Sequence, residues 1–102
     1  MTNAKEEFLE EVKGKELLCA EIRYEMSYDE RDFQWFSLKR NYSEKDYKEF
    51  LSLLDFTYDD GYGGQELFGT IWYKDGTWSD RGEYDGSEWW EYRKVPEIPA
   101  RL

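Results

Sequence analysis

The chain has 102 residues, of which 37% are charged and 20% are aromatic, and its formal net charge is −10. This length suits one hydrophobic core, and the aromatic residues supply enough apolar surface for the chain to fold despite its charge. We therefore expect a single domain over residues 1–102. The negative charge argues against direct binding to nucleic acid or to an anionic membrane, and it favours a partner protein with a basic surface.

Several residue types that common chemistries require are scarce. Histidine is absent, which removes the usual near-neutral general base and the commonest metal ligand. The single cysteine, Cys19, cannot form an intrachain disulfide and is expected to be a small apolar filler. The acidic N-terminus does not resemble a signal peptide, and no apolar run is long enough to span a bilayer. The sequence thus predicts a cytoplasmic, non-enzymatic protein with no metal site and no cofactor.

The segment NAKEEFLEEV predicts the first helix. Its apolar residues Ala4, Phe8 and Val12 recur every fourth position, Asn3 is suited to cap the N-terminus, and Gly14 is suited to end the helix.

The segment SEKDYKEFLSLLD predicts a second helix. Ser43 and Asp46 have the spacing of a capping box. One helical face then carries the apolar residues Tyr47, Phe50, Leu51 and Leu54.

Two strands are predicted between these helices. Residues 17–26 alternate apolar and polar side chains, with Leu18, Ala20, Ile22, Tyr24 and Met26 on the apolar side. Residues 33–38, FQWFSL, predict a second strand, joined to the first as a hairpin by the turn at 27–32. After the second helix, FTYDDGYGGQE has no apolar periodicity and predicts a loop, which lacks the residues of a phosphate or calcium site.

Two Asp-Gly pairs, at 75–76 and 85–86, predict a three-stranded meander near the C-terminus. Asp-Gly is a strong signal for a two-residue hairpin turn. With two-residue turns, the first hairpin pairs Tyr73 with Trp78, Ile71 with Asp80 and Gly69 with Gly82, and the second pairs Trp89 with Gly82, Glu91 with Asp80 and Arg93 with Trp78.

This register sorts the aromatic residues of the meander between two faces. The predicted core face carries Leu67, Ile71, Tyr73, Trp78, Tyr84 and Trp89, and the predicted wet face carries Phe68, Trp72, Trp90 and Tyr92 among Lys74, Arg81, Glu83, Glu88 and Lys94. Trp89 is expected to lie across Gly69 and Gly82, and Arg81 to stack on Trp90 at the surface.

The wet aromatic residues Trp72, Trp90 and Tyr92 are the predicted partner-binding residues. Exposed aromatic side chains rimmed by charge are typical of protein-binding hot spots. The alternative is that the tail over 95–102, which Pro96 and Pro99 keep extended, folds back over them as a strap.

One group of neighbouring carboxyl residues is a candidate for catalysis. Asp80 and Glu91 are predicted to be adjacent, and two neighbouring carboxyl groups can split their pKa values as a hydrolase requires. Arg93, predicted diagonal to Asp80, would instead neutralise the pair into a structural network.

The C-terminal segment YDDGYGGQELFGTIWYKDGTWSDRGEYDGSEWWEYRKVPEIP resembles small uncharacterised proteins encoded by bacteriophages and prophages, which close with a similar series. The resemblance implies a phage accessory protein that binds and blocks a host protein, as anti-restriction and anti-CRISPR inhibitors that mimic DNA charge do. The acidic residues that could serve this role include Asp59, Asp60, Glu83, Asp85 and Glu88, with further acids at 6–11 and 29–32.

Together these observations predict an α+β domain in the order α-β-β-α-β-β-β, with an antiparallel sheet packed by two helices. The expected function is that of a non-enzymatic inhibitor of a host protein, such as a nucleic-acid-handling defence complex. Two alternatives stay open: a small enzyme or ligand-binding domain that uses Asp80, Glu91 and Arg93, or a structural subunit of a larger assembly. The sequence sets no oligomeric state.

Overall fold

The computed structural model describes residues 1–25, 33–61 and 63–102. Its elements in chain order are β1 (Thr2–Asn3), α1 (Ala4–Val12), β2 (Leu17–Glu25), β3 (Phe33–Leu38), α2 (Glu44–Leu53), β4 (Thr57–Tyr58), β5 (Leu67–Tyr73), β6 (Trp78–Tyr84) and β7 (Ser87–Arg93). The five longer strands form one antiparallel sheet in the order β3-β2-β5-β6-β7, and β1 pairs with β4. The predicted α+β class and order of elements are confirmed, while the two-residue strands β1 and β4 were not predicted.

Both helices begin at the predicted caps. Asn3 accepts a hydrogen bond from the Glu6 amide at 2.9 Å, and Ser43 and Asp46 exchange the two hydrogen bonds of a capping box. The apolar stripes face the sheet, where Phe8 of α1 meets Phe50 of α2 edge-on with ring centroids 5.2 Å apart. Each helix is therefore held by its capped end and by one buried face.

The predicted hairpin of β2 and β3 is confirmed as an antiparallel pair. A bulge between Leu17 and Cys19 places Leu17 in the core, whereas alternation alone had assigned Leu18 there. Met26 and the predicted turn at 27–32 lie outside the described residues.

The first turn of the meander differs from the prediction. The Tyr73 amide donates to the Thr77 carbonyl at 2.9 Å, so the loop contains three residues, Lys74 to Gly76. Only Gly76 has a positive φ, +87°, and the Asp75 carboxylate accepts from the Thr77 amide instead. A three-residue loop needs one left-handed residue where the expected two-residue turn needs two. The predicted register between β5 and β6 is therefore wrong by one residue: Thr70, not Ile71, lies opposite Asp80.

The second turn is as predicted. Asp85 and Gly86 both have positive φ, 50° and 86°, as a two-residue hairpin turn requires. Trp89 lies opposite Gly82, Glu91 opposite Asp80 and Arg93 opposite Trp78.

Because only the first turn changes, the predicted sorting of faces holds for β5 and reverses for β6 and β7. Leu67, Ile71 and Tyr73 are buried as expected. Trp78, Tyr84 and Trp89 are not in the core, and their places on the inner side are taken by Ser79, Arg81, Glu88 and Trp90.

The core lies between the helices and the inner face of the sheet. Its largest fully buried side chains are Tyr58, Tyr73, Phe8, Ile22, Leu54, Leu67 and Ile71. The tail at 95–102 does not join it, since Val95, Ile98 and Leu102 are 72%, 82% and 85% exposed. The alternative of a covering strap is therefore not supported. Neither α1 nor α2, the helices of the described chain, has the length and apolar composition to cross a membrane.

Candidate functional site

A buried arginine joins four elements on the inner side of the sheet. The Arg81 guanidinium donates to Glu88 Oε1 at 2.7 Å, to Glu7 Oε1 at 3.1 Å and to the Tyr58 hydroxyl at 2.8 Å. Its Nε donates to the Leu67 carbonyl at 3.3 Å. Only 2% of the Arg81 side chain is exposed, and its charge is compensated by carboxylates from α1 and β7.

Glu88 completes this network from β7. Its Oε2 accepts from the Glu66 amide at 2.8 Å, and its Oε1 accepts from the Leu67 amide at 3.0 Å as well as from Arg81. The Trp90 ring lies against the guanidinium, with Arg81 Cζ 4.9 Å from the ring centroid. The predicted stacking of Arg81 on Trp90 therefore exists, but it is buried rather than at the surface.

The network changes the ionisation of its members. Burial raises the pKa of Glu7, opposed by the hydrogen bond from Tyr58 and by the charge of Arg81. Burial and the hydrogen bond to Glu7 raise the pKa of Tyr58. Burial lowers the pKa of Arg81, but the charge of Glu7 and the contacts with Tyr58 and Glu88 outweigh it and leave this pKa raised. We interpret the cluster as structural, because every polar group of Arg81 and Glu88 is engaged within it.

Three of the predicted binding residues, Trp90, Glu88 and Tyr92, therefore lie on the inner side of the sheet, which faces the helices. Trp90 is only 8% exposed and Glu88 only 4%, so neither presents a surface to a partner. Tyr92 is on the same side of the sheet, 44% exposed, with its ring 5.8 Å from that of Tyr73 and 4.8 Å from Lys15 Nζ.

Neither of the two described helices packs on the opposite side of the sheet, which we call the outer face. Strand alternation and the observed register place these residues on it: Cys19, Glu21, Arg23, Glu25, Phe33, Trp35, Ser37, Phe68, Thr70, Trp72, Trp78, Asp80, Gly82, Trp89, Glu91 and Arg93. Every tryptophan except Trp90 is on this face. Trp35 is 49% exposed and Trp72 and Trp89 are each 39% exposed, so the face combines large indoles with access to solvent.

Local backbone features position these indoles. Trp72 and Trp78 are opposite each other next to the three-residue turn. The Trp89 indole lies over Gly82, where an added Cβ would come within 2.6 Å of Trp89 Nε1. Gly69 was predicted to share this role, but its Cβ would instead meet the Glu21 carbonyl at 2.4 Å.

Five charged residues of the outer face form ion pairs with one another. Arg93 Nε is 2.6 Å from Asp80 Oδ1, and Arg93 Nη2 is 3.1 Å from Glu91 Oε2. Arg23 is 3.1 Å from Glu25, and its guanidinium carbon lies 4.5 Å from the Phe68 centroid and 5.7 Å from that of Trp35. The mutual ion pairs of Asp80, Glu91 and Arg93 match the structural interpretation of this trio.

The predicted acidic residues Asp59 and Asp60 lie in the loop after β4, and Glu83 and Asp85 lie at the end of β6 and in the β6–β7 turn. Asp60 accepts through its carbonyl from the Glu88 amide at 2.9 Å and through its carboxylate from Thr2, while Asp59 Oδ1 accepts from the Gly61 amide at 3.1 Å. Glu83 and Asp85, at the β6–β7 turn, are exposed. The Glu88 amide thus attaches the 59–60 loop to β7, and Asp59 and Asp60 are partly used to hold that loop. The acids at 29–32 lie outside the described residues.

An open groove of about 510 Å³ lies between the β2–β3 pair and α2. Cys19, Lys39, Arg40, Asp46 and Glu49 are among its lining residues, so its charges are mixed. Within the described ranges no cluster of acidic or cysteine side chains has the arrangement of a metal site.

Comparison of the chain with protein-family models, with curated proteins and with solved structures finds no match. The sequence interpretation missed two parts of the site. Phe33 and Trp35 were assigned to a strand but not to a binding surface, although alternation with buried Phe36 and Leu38 could have placed them outside. Glu7 and Tyr58 reach Arg81 over long sequence separations, and no local pattern signals that contact.

Proposed function

We propose that the protein is a binding module that docks the basic surface of a partner protein on its outer face. The observation that carries this proposal is the exposure of Trp35, Trp72 and Trp89 on a sheet face that no described element covers. Exposed aromatic clusters of this kind are the usual anchors of protein interfaces.

The charge of the face supports a cationic partner. Four carboxylates, Glu21, Glu25, Asp80 and Glu91, stand against two guanidinium groups, Arg23 and Arg93, in a chain whose net charge is −10. Complementary charge steers association and disfavours acidic partners and nucleic acid.

The proposed context follows from the phage resemblance of the C-terminal segment. The partner is a host protein of the bacterial cytoplasm, with a nucleic-acid-handling complex as the preferred class because its cationic groove suits an acidic protein. The consequence of binding is inhibition by occupation of that groove.

The proposal can be tested by capture from a bacterial lysate on the immobilised protein. The wild type is compared with the triple variant Trp35→Ser, Trp72→Ser, Trp89→Ser and with a matched control, Leu9→Ser with Leu53→Ser, which removes exposed apolar groups from the helices. Far-ultraviolet circular dichroism and urea unfolding verify that each variant folds.

We expect the wild type and the control to capture discrete proteins that the triple variant does not capture. These proteins should elute as the salt concentration rises from about 0.1 to about 1 M, because the Debye length then falls from about 10 to about 3 Å. Equal capture by the triple variant, or an empty eluate at low salt, would reject the proposed function.

A further inference from the structure

The register of the sheet aligns carboxylates in a line across the outer face. Glu21 lies opposite Thr70, Thr70 opposite Asp80, and Asp80 opposite Glu91. We call Glu21, Asp80 and Glu91 the acidic row. With strands about 4.8 Å apart, it extends over roughly 14 Å of the sheet.

Aromatic side chains border the acidic row on both sides. Two residues along the strands in one direction are Trp72 and Trp78, which oppose each other. In the other direction are Phe68, which opposes Arg23, and Trp89, which opposes Gly82. A cation bound on the row would thus lie between ring faces and next to carboxylates, the combination that favours a planar guanidinium over an ammonium.

The chain itself shows this chemistry with its own arginines. Arg93 reaches diagonally from its place opposite Trp78 to contact Asp80 at 2.6 Å and Glu91 at 3.1 Å. Arg23 combines a carboxylate with two aromatic rings, Phe68 and Trp35, in the same way. The side chains of Arg93, Asp80 and Glu91 are 44%, 34% and 46% exposed, so the Arg93 contacts are open to competition from solvent and from other cations.

Resting on the proposed function, we infer that the outer face recognises an arginine-rich segment of the partner, whose guanidinium groups occupy the acidic row and compete with Arg93 for Asp80 and Glu91. Arg93 is then an internal competitor that fills part of the site in the free protein. A second copy of this chain does not suit the face, because two copies would bring together like-charged surfaces.

Isothermal titration calorimetry with synthetic peptides tests this inference. The probes are hexa-arginine and hexa-lysine, which carry the same charge, and hexa-glutamate. The row variant is Asp80→Asn with Glu91→Gln, and its matched control is Glu44→Gln with Glu49→Gln, which removes two ion-paired carboxylates from α2.

We expect hexa-arginine to bind more tightly than hexa-lysine and the row variant to weaken hexa-arginine binding about fivefold relative to the matched control. Removal of the internal competitor by Arg93→Gln should strengthen binding more than Arg101→Gln, although both remove one positive charge. Equal effects of the row variant and its control, or of the two arginine variants, would refute the inference.

The lysate capture and the peptide titration together distinguish failure of the arginine inference from failure of the proposed binding function. Capture that depends on the outer-face tryptophans, together with hexa-arginine binding that ignores the acidic row, would reject arginine recognition and leave the binding function intact. Capture that does not depend on those tryptophans would reject both proposals.

Discussion

Arg81 and Glu88 form a buried ion pair across β6 and β7, with Arg81 Nη2 2.7 Å from Glu88 Oε1 and 2% and 0% of the two side chains exposed. Glu7 of α1 shares the same guanidinium, and the Tyr58 hydroxyl donates to that Glu7 carboxylate at 2.5 Å. The pair therefore attaches the meander to the N-terminal helix and to β4.

Loss of Arg81 should be strongly destabilising. Arg81→Met leaves Glu88 buried without its cation, and we expect a loss of about 3–5 kcal/mol in the free energy of unfolding measured with urea. Arg93→Met, which breaks an exposed pair, should cost clearly less. Addition of Glu88→Gln to Arg81→Met should recover part of the loss, because it removes the uncompensated charge. An Arg81→Met protein as stable as Arg93→Met would show that the buried pair is unimportant.

Glu7 should make stability depend on pH in a definite direction. Because burial raises its pKa in the folded protein, the folded state binds the proton more tightly than the unfolded state does. The stabilisation from protonated Glu7 is fully present below the unfolded pKa of 4.5 and is lost as the pH rises through the folded value.

Glu7→Gln removes this titration. Relative to the variant, the wild type should therefore lose stability as the pH rises through that window, as measured by urea midpoints at a series of pH values. The pH dependence of Glu66→Gln can be compared with that of Glu7→Gln, since burial also raises the pKa of Glu66. A constant difference between the wild type and Glu7→Gln across the pH series would contradict the assignment.

Gly69 should not tolerate a side chain. Its φ is +151°, and an added Cβ would lie 2.4 Å from the Glu21 carbonyl and 2.9 Å from Ile22 Cα, both backbone atoms of the neighbouring strand. We expect Gly69→Ala to lower the free energy of unfolding by about 2–4 kcal/mol. Gly64→Ala, which has open space around its Cβ, should have little effect on the urea midpoint. Similar midpoints for the two variants would argue against the close approach of β5 to β2.

The register of the first hairpin can be tested by cross-linking. Tyr73 and Thr77 are hydrogen-bonded, so by alternation the pair Thr70 and Asp80 is non-hydrogen-bonded, with Cα atoms about 4.5 Å apart. In a Cys19→Ser background, Thr70→Cys with Asp80→Cys should form a disulfide under mild oxidation, detected by mass spectrometry. The pair Trp72→Cys with Asp80→Cys, displaced along the face, should form it much less. Preferential cross-linking of Ile71→Cys with Asp80→Cys would instead indicate the register expected from a two-residue turn.

The sequence by itself determined the two helices, the five longer strands and the order of these elements along the chain. Capping at Asn3 and Ser43, the apolar stripes of both helices and the two Asp-Gly turns are local signals, because each depends on residues a few positions apart. The β6–β7 register followed from the turn at 85–86 for the same reason.

Only the tertiary structure decided which aromatic side chains face solvent. An Asp-Gly pair is compatible with a two- or a three-residue loop, and a difference of one residue exchanges the two faces of every following strand. With the three-residue loop at 74–76, Arg81 and Glu88 enter the core, where Glu7 and Tyr58 compensate them. Asp80, Glu91 and Arg93 then remain at the surface. The choice between the two loops depends on the contacts of Arg81 with Glu7 and Tyr58. Both partners are more than 20 residues away from Arg81 in the chain, so no local sequence pattern contains these contacts.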